Sequence, residues 1–126
     1  TDHLPGLEIG HVTLDKQLPI ASGVGGGSSD AAAVLRAIHT AHPRATADLD
    51  WMNIARRLGA DVPVCFADRA VWMSATGDQL HDLASPLPQL HAVLVNPRAP
   101  VPADKTARVF RALGAPPISG SIDGLA

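Results

Sequence analysis

The sequence predicts an α+β fold, and three observations carry that expectation. A glycine-rich loop, Gly23 to Gly27, runs straight into an alanine-rich stretch of strong helix formers. Two short β-prone runs flank Thr76-Gly77-Asp78, which is the pattern of a hairpin. Strand-like and helix-like segments follow one another without a regular βαβαβ order, which argues against a parallel α/β sheet.

Taken in order, Leu7, Ile9, Val12 and Leu14 partly alternate and predict a strand. Asp15 to Ser22 is a turn and approach loop, bent at Leu18-Pro19. A helix is expected from Ser28 or Ser29 to about Ala41, with Ala31, Val34, Leu35 and Ile38 on its buried face and Pro43 beyond its end. Asp48 or Asp50 caps a second helix, Trp51 to Leu58, with Met52, Ala55 and Leu58 on one side. Gly59 suits the C′ position. Val64 to Ala67 is a short apolar piece after a turn at Asp61. Ala70 to Ser74 and Gln79 to Leu83 form the hairpin arms. Ser85-Pro86-Leu87-Pro88 is a linker, so a boundary is expected between residues 1–84 and 85–126. Ala92 to Val95 is continuously apolar and predicts an interior strand. A rigid loop, Pro97 to Pro102, leads to a helix from Ala103 or Asp104 carrying Val109, Phe110 and Leu113. The tail beyond Gly114, rich in Pro, Gly and Ser, is expected to be poorly ordered.

Composition narrows the function classes. The chain of 126 residues is 46% hydrophobic, which suits a globular protein with a real core. With 3% aromatics and no tyrosine, that core must be aliphatic and alanine-rich. A net charge of −2 and the lack of a basic cluster argue against a nucleic-acid groove. One cysteine, Cys65, excludes an internal disulfide and fits a reducing compartment. No run is long enough to span a bilayer and no signal peptide stands at the start, so the expected location is the cytoplasm, away from membranes.

The chemistry centres on Pro19-Ile20-Ala21-Ser22-Gly23-Val24-Gly25-Gly26-Gly27-Ser28-Ser29-Asp30. Glycines let a backbone approach a ligand closely, and the first helical turn offers unpaired N–H groups and the positive end of the dipole. Together these suit a phosphate. The alternative is a glycine turn capped by Ser28; three consecutive glycines exceed what a cap needs. No lysine follows Gly27, so this is not a Walker A loop. Ser28 stands where a dinucleotide fingerprint needs its third glycine, so it is not that loop either.

Other residues read plainly. Asp61, before Val62-Pro63, is by itself a turn residue bonding its own backbone. The six histidines show no metal-ligand spacing, and Cys65 is a small core residue. Trp51 and Trp72 are packing residues, and Arg56 and Arg57 a solvated face.

The loop pattern resembles the second motif of the GHMP kinases, the family of galactokinase, homoserine kinase and mevalonate kinase. Three glycines before Ser28-Ser29-Asp30-Ala31-Ala32, together with Gly59-Ala60-Asp61-Val62-Pro63, resemble the branch acting on a cytidine-diphosphate-linked methylerythritol in non-mevalonate isoprenoid synthesis. Val93-Leu94-Val95-Asn96-Pro97, Val101-Pro102 and Thr106 to Phe110 resemble a later strand-turn-helix passage. The resemblance implies a ribosomal protein S5 domain 2-like lobe followed by the start of a ferredoxin-like lobe. It implies an ATP- and Mg²⁺-dependent alcohol kinase, with Pro19, Gly23, Gly25, Gly26, Gly27, Ser28 and Ser29 on the ATP phosphates. Asp61 would be the base at the substrate hydroxyl, and Thr106 and Phe110 would contact its cytosine. Phe110 packed in the core is the competing reading. The family's catalytic lysine segment, its tyrosine nucleobase contact and its carboxy-terminal glycine motif find no counterpart, so the chain is expected to be a central piece of such a kinase, inactive alone. Another GHMP kinase, or a non-catalytic nucleotide-binding or structural fragment, is the alternative.

Overall fold

The computed structural model describes residues 7–20, 22–96, 102 and 104–114. Its elements are α1 (Gly26–Ala41), α2 (Trp51–Leu58), α3 (Val62–Ala67), β1 (Val71–Ser74), β2 (Gln79–Asp82) and α4 (Lys105–Leu113). Helices and a small sheet coexist, so the class is α+β. The chain divides into two compact units between Pro86 and Leu87.

In the first unit, α1 starts two or three residues earlier than the serines suggest. Gly25 is the N-cap at φ 71°, and no side chain caps the helix. A left-handed cap needs glycine, and the turn into the helix is made there rather than at Ser28. The buried face is also rotated from expectation. Ala32 and Leu35 are buried, whereas Val34 and Ile38 are only half-buried. Val34 and Ile38 instead line a groove of about 440 Å³ with Ile9 and Val12.

The second helix forms where its cap predicts. The Asn53 N–H donates to Asp50 Oδ1 at 2.9 Å. Its packed side is Trp51, Ile54 and Ala55, at i, i+3 and i+4, while Leu58 is 57% exposed. Met52 and Leu58 are therefore not the core face. Gly59 ends the helix in extended backbone, φ 165°, not in the left-handed conformation of a C′ glycine. An eight-residue helix is marginal alone, so its cap matters. Asp50→Ala is expected to lower the unfolding free energy by about 1 kcal/mol, seen as a lower denaturant midpoint at unchanged slope. An unchanged midpoint would mean water serves the Asn53 N–H equally well.

The apolar piece after Asp61 is a helix. Pro63 stands in its first turn, where a missing N–H costs nothing. The helices pack on one another through Ala32, Leu35, Ala55 and Val62, with Trp51, Cys65 and Phe66 around them. Trp51 stacks on Phe66 at 6.0 Å and meets the His39 ring edge-on at 5.2 Å. Thr46, fully buried, donates to the His42 carbonyl at 2.8 Å and lies 3.2 Å from His39 Nδ1, tying the α1–α2 connection to the end of α1.

The hairpin pairs Val71 with Asp82 and Ser74 with Gln79, antiparallel, across a turn at residues 75–78. The Thr76 hydroxyl donates to Asp78 at 2.9 Å and holds that carboxyl below its ordinary pKa. A Cβ on Gly77, φ 91°, would lie 3.2 Å from the Ala60 carbonyl oxygen, so the turn sits close against the residue before Asp61. Arg56 reaches the same turn, its Nε donating to the Asp78 carbonyl at 3.2 Å. Arg56 is thus more than a solvated charge.

Two expected strands are absent. Residues 7–14 are irregular, and Ala92 to Val95 are likewise irregular, with Val93, Leu94 and Val95 each more than 80% exposed. A strand exists only with a partner, and neither run has one among the described residues. In the second unit α4 begins at Lys105, after Asp104. Pro97 to Val101 and the tail beyond Gly114 lie outside the described residues.

Candidate functional site

The glycine loop builds a pocket. Pro19, Gly23, Gly25, Gly26, Gly27 and Ser28 line a cavity of about 270 Å³, joined by Lys16, Ile20 and Ser22. Pro19 opens the turn that leads in, its carbonyl accepting from the Ser22 N–H at 3.2 Å. Gly23, φ 80°, and Gly25, φ 71°, both hold left-handed backbone that a side chain would strain. The first helical hydrogen bond of α1 runs from the Ser29 N–H to the Gly25 carbonyl at 3.0 Å. The N–H groups of Gly26, Gly27 and Ser28 therefore precede the helix's own ladder and have no partner within it. With the macrodipole behind them, they make the pocket floor suitable for an anion.

Ser29 differs from its neighbour. Its N–H is already used within the helix, and it is exposed and off the pocket wall. Ser28 is the serine at the pocket.

Lys16 is the residue that sequence reasoning missed. It is one of only two lysines in the chain, ten positions before Gly26. Its ammonium bonds Asp30 on α1 and sits at the pocket, 3.2 Å from where a Cβ on Gly26 would be. A lone cation in an approach loop gives no local signal. A Lys–Asp pair bracketing a glycine loop was the only available hint.

Asp61 caps α3 at φ −91°, and its carboxylate makes no cap bond to the helix. The side chain is exposed. The Asp61 carbonyl accepts from the Cys65 N–H at 3.3 Å. α1 and α3 pack directly, so the helix bearing the glycine loop and the helix bearing Asp61 share one core. Thr106 and Phe110 lie one turn apart on α4 in the other unit, and Phe110 is 68% exposed, so it is not a core residue among those described. Cys65 is half-buried against the core. No group of three or more His, Cys, Asp or Glu among the described residues could hold a metal. No helix among them is long and apolar enough to cross a membrane.

Residues 2–69 match the family described as GHMP kinases N terminal domain. The 4-diphosphocytidyl-2-C-methyl-D-erythritol kinase of Rhodopseudomonas palustris (strain BisA53) is 52% identical over 111 residues, which is 88% of this chain and 36% of that protein. The protein of the same name from Rhodopseudomonas palustris (strain ATCC BAA-98 / CGA009) is 47% identical across 99% of this chain and 41% of its own length. That of Bradyrhizobium sp. (strain ORS 278) is 46% identical across 90% of this chain and 36% of its length. The chain thus spans less than half the length of these relatives. No solved structure matches it. The match over residues 2–69 covers more than half of the sequence, and the chain belongs to the GHMP kinase family.

Proposed function

We propose that this chain is the phosphate-binding part of an ATP-dependent kinase acting on the 2-hydroxyl of 4-diphosphocytidyl-2-C-methyl-D-erythritol, in non-mevalonate isoprenoid biosynthesis. The observation that carries the reading is the pocket in which unpaired N–H groups of Gly26, Gly27 and Ser28 meet the Lys16 ammonium. The relatives' shared name supplies the substrate.

Phosphoryl transfer runs through a loose transition state with charge on the transferred oxygens, so catalysis is mostly positioning and charge neutralisation. The glycine loop and the α1 N-terminus hold the ATP phosphates, with Pro19, Gly23 and Gly25 shaping the approach and Ser28 in the wall. Ser29 supports the turn through its backbone bond rather than by touching phosphate. Asp61 accepts the proton of the substrate hydroxyl as its oxygen bonds the γ-phosphorus. The bond to the bridging oxygen breaks and ADP leaves. Thr106 and Phe110 recognise the cytosine. Mg²⁺ favours phosphate oxygens and waters with few protein carboxylates. Carried in with ATP, the ion would neutralise phosphate charge beside Gly26, Gly27 and Ser28.

In this reading residues 1–84 are the later part of the S5 domain 2-like ATP-binding lobe. Residues 85–126 are the linker and the opening of the ferredoxin-like lobe, and the enzyme works in the cytoplasm. The test is ADP release by the full-length protein with ATP and Mg²⁺, with and without 4-diphosphocytidyl-2-C-methyl-D-erythritol. Release that depends on this substrate, and not on galactose, homoserine or mevalonate, is the expected result. Release with one of the others would assign a different kinase of the family. No release with any would leave a non-catalytic member.

A further inference from the structure

We infer that Arg36 is a positioning residue for Asp61, acting through the far end of α3. The inference rests on the reading of Asp61 as the base.

α3 is six residues long and stops at Asp68, whose φ of 54° is left-handed. The stop leaves carbonyls at its C-terminal end without helical partners. Val64 keeps one, accepting from the Asp68 N–H at 3.2 Å. The Cys65 carbonyl is served from outside the helix. Arg36 Nη1, on α1, donates to it at 2.5 Å in a partly buried setting. A cation at a helix C-terminus also faces the negative end of the dipole. A charge-assisted bond of this kind is short and directional.

Its place in the fold gives it leverage. At its other end α3 is fixed by Val62 and Pro63, both buried, and the Gly77 turn lies against the Ala60 carbonyl. So short a helix keeps its orientation through few contacts, Val62 and Pro63 in its first turn and Cys65 and Phe66 against Trp51 and the core near its end. Asp61 is the cap of the first turn and moves with any change in the helix's orientation. Arg36 adds a directional, charge-assisted tie to that apolar packing. It does so from α1, the helix whose N-terminus forms the phosphate pocket. One side chain therefore ties the orientation of the proposed base to the element that holds the proposed phosphoryl donor. Sequence reading gives Arg36 no role, because its partner is a main-chain oxygen 29 residues away.

The test is a double-mutant cycle in the full-length protein, Arg36→Met with Asp61→Asn, with rates referred to folded protein. Arg36→Met is expected to lower kcat roughly tenfold, since small misplacements of a reacting group are costly, while KM for ATP stays within about twofold. Arg36→Lys, which keeps a charged donor, is expected to recover most of the loss. In the Asp61→Asn background, Arg36→Met is expected to have no further effect on residual kcat, because it acts through the group already removed. Should Arg36→Met not fold, Arg36→Gln, a neutral donor, takes its place in the cycle. Unchanged kcat in the Arg36 variant overturns the inference. So does an equal fractional loss in both backgrounds, the mark of a merely structural role, and it leaves the base reading standing. Full turnover by Asp61→Asn alone overturns the base reading and this inference together.

Discussion

Asp61→Asn is expected to lower turnover by roughly 10²- to 10⁴-fold, the usual contribution of a positioned general base, while KM for ATP changes little. The substitution keeps the shape of the side chain and removes its charge and basicity. Asp61 is exposed, and its carboxylate makes no cap bond to α3. Surface changes of this kind usually shift stability by less than about 0.5 kcal/mol, so lost turnover would not be lost fold. A role confined to the transition state lowers kcat and kcat/KM together. Steady-state kinetics on the folded full-length variant, with both substrates varied, reads this out. Turnover at the parent rate would remove Asp61 from the mechanism and return it to an ordinary turn residue before Val62-Pro63. A raised KM for the alcohol at constant kcat would instead make Asp61 a binding group.

What the sequence discloses about this fold is what is local. Asp50 with a helical pattern behind it marks α2, and Thr76-Gly77-Asp78 between β-prone runs marks the hairpin, because caps and turns are settled within a few residues. Strand propensity at residues 7–14 and 92–95 did not produce strands, since a strand needs a neighbour and propensity does not supply one. Val62 to Ala67 is β-branched and aromatic in composition yet helical. Burial of Val62 and Pro63 against α1 and α2 outweighs its intrinsic preference.

The candidate site divides the same way. The glycine motif lines the cavity with Gly23, Gly25, Gly26, Gly27 and Ser28, because glycines leave the backbone bare where a side chain would fill the space. Ser28 and Ser29 look equivalent in the sequence. They are separated only by the start of the helical ladder, which uses the Ser29 N–H and spares that of Ser28. Lys16 and Arg36 were invisible for a further reason. Each gains its role from a partner brought near by folding, Asp30 across the loop for one and the Cys65 carbonyl for the other.

Gly27→Ala is expected to make the protein more stable and its nucleotide binding worse. Gly27 lies in the first turn of α1, and a Cβ there would meet nothing within 4 Å. The methyl group therefore costs no packing, and alanine over glycine in a helix gains up to about 1 kcal/mol. Gly27 also lines the pocket. A phosphate seated on the bare backbone would lose its close approach, for an expected loss of roughly tenfold in ATP affinity, ~1.4 kcal/mol. Neighbouring glycines separate the causes. Gly25→Ala carries its penalty in the free protein, about 1–2 kcal/mol, because φ is 71° there although space is open. Gly26→Val would press on Lys16 Nζ and Leu18 Cδ1, flexible chain ends 3.2 and 3.3 Å from its Cβ, and so displace the pocket's cation. Calorimetric titration with ATP beside thermal unfolding measures both quantities on one sample. A Gly27→Ala protein that unfolds at higher temperature and binds ATP as before would mean the phosphates lie elsewhere. Opposite movement of stability and affinity is a result that a loop serving only as a helix cap has no means to produce.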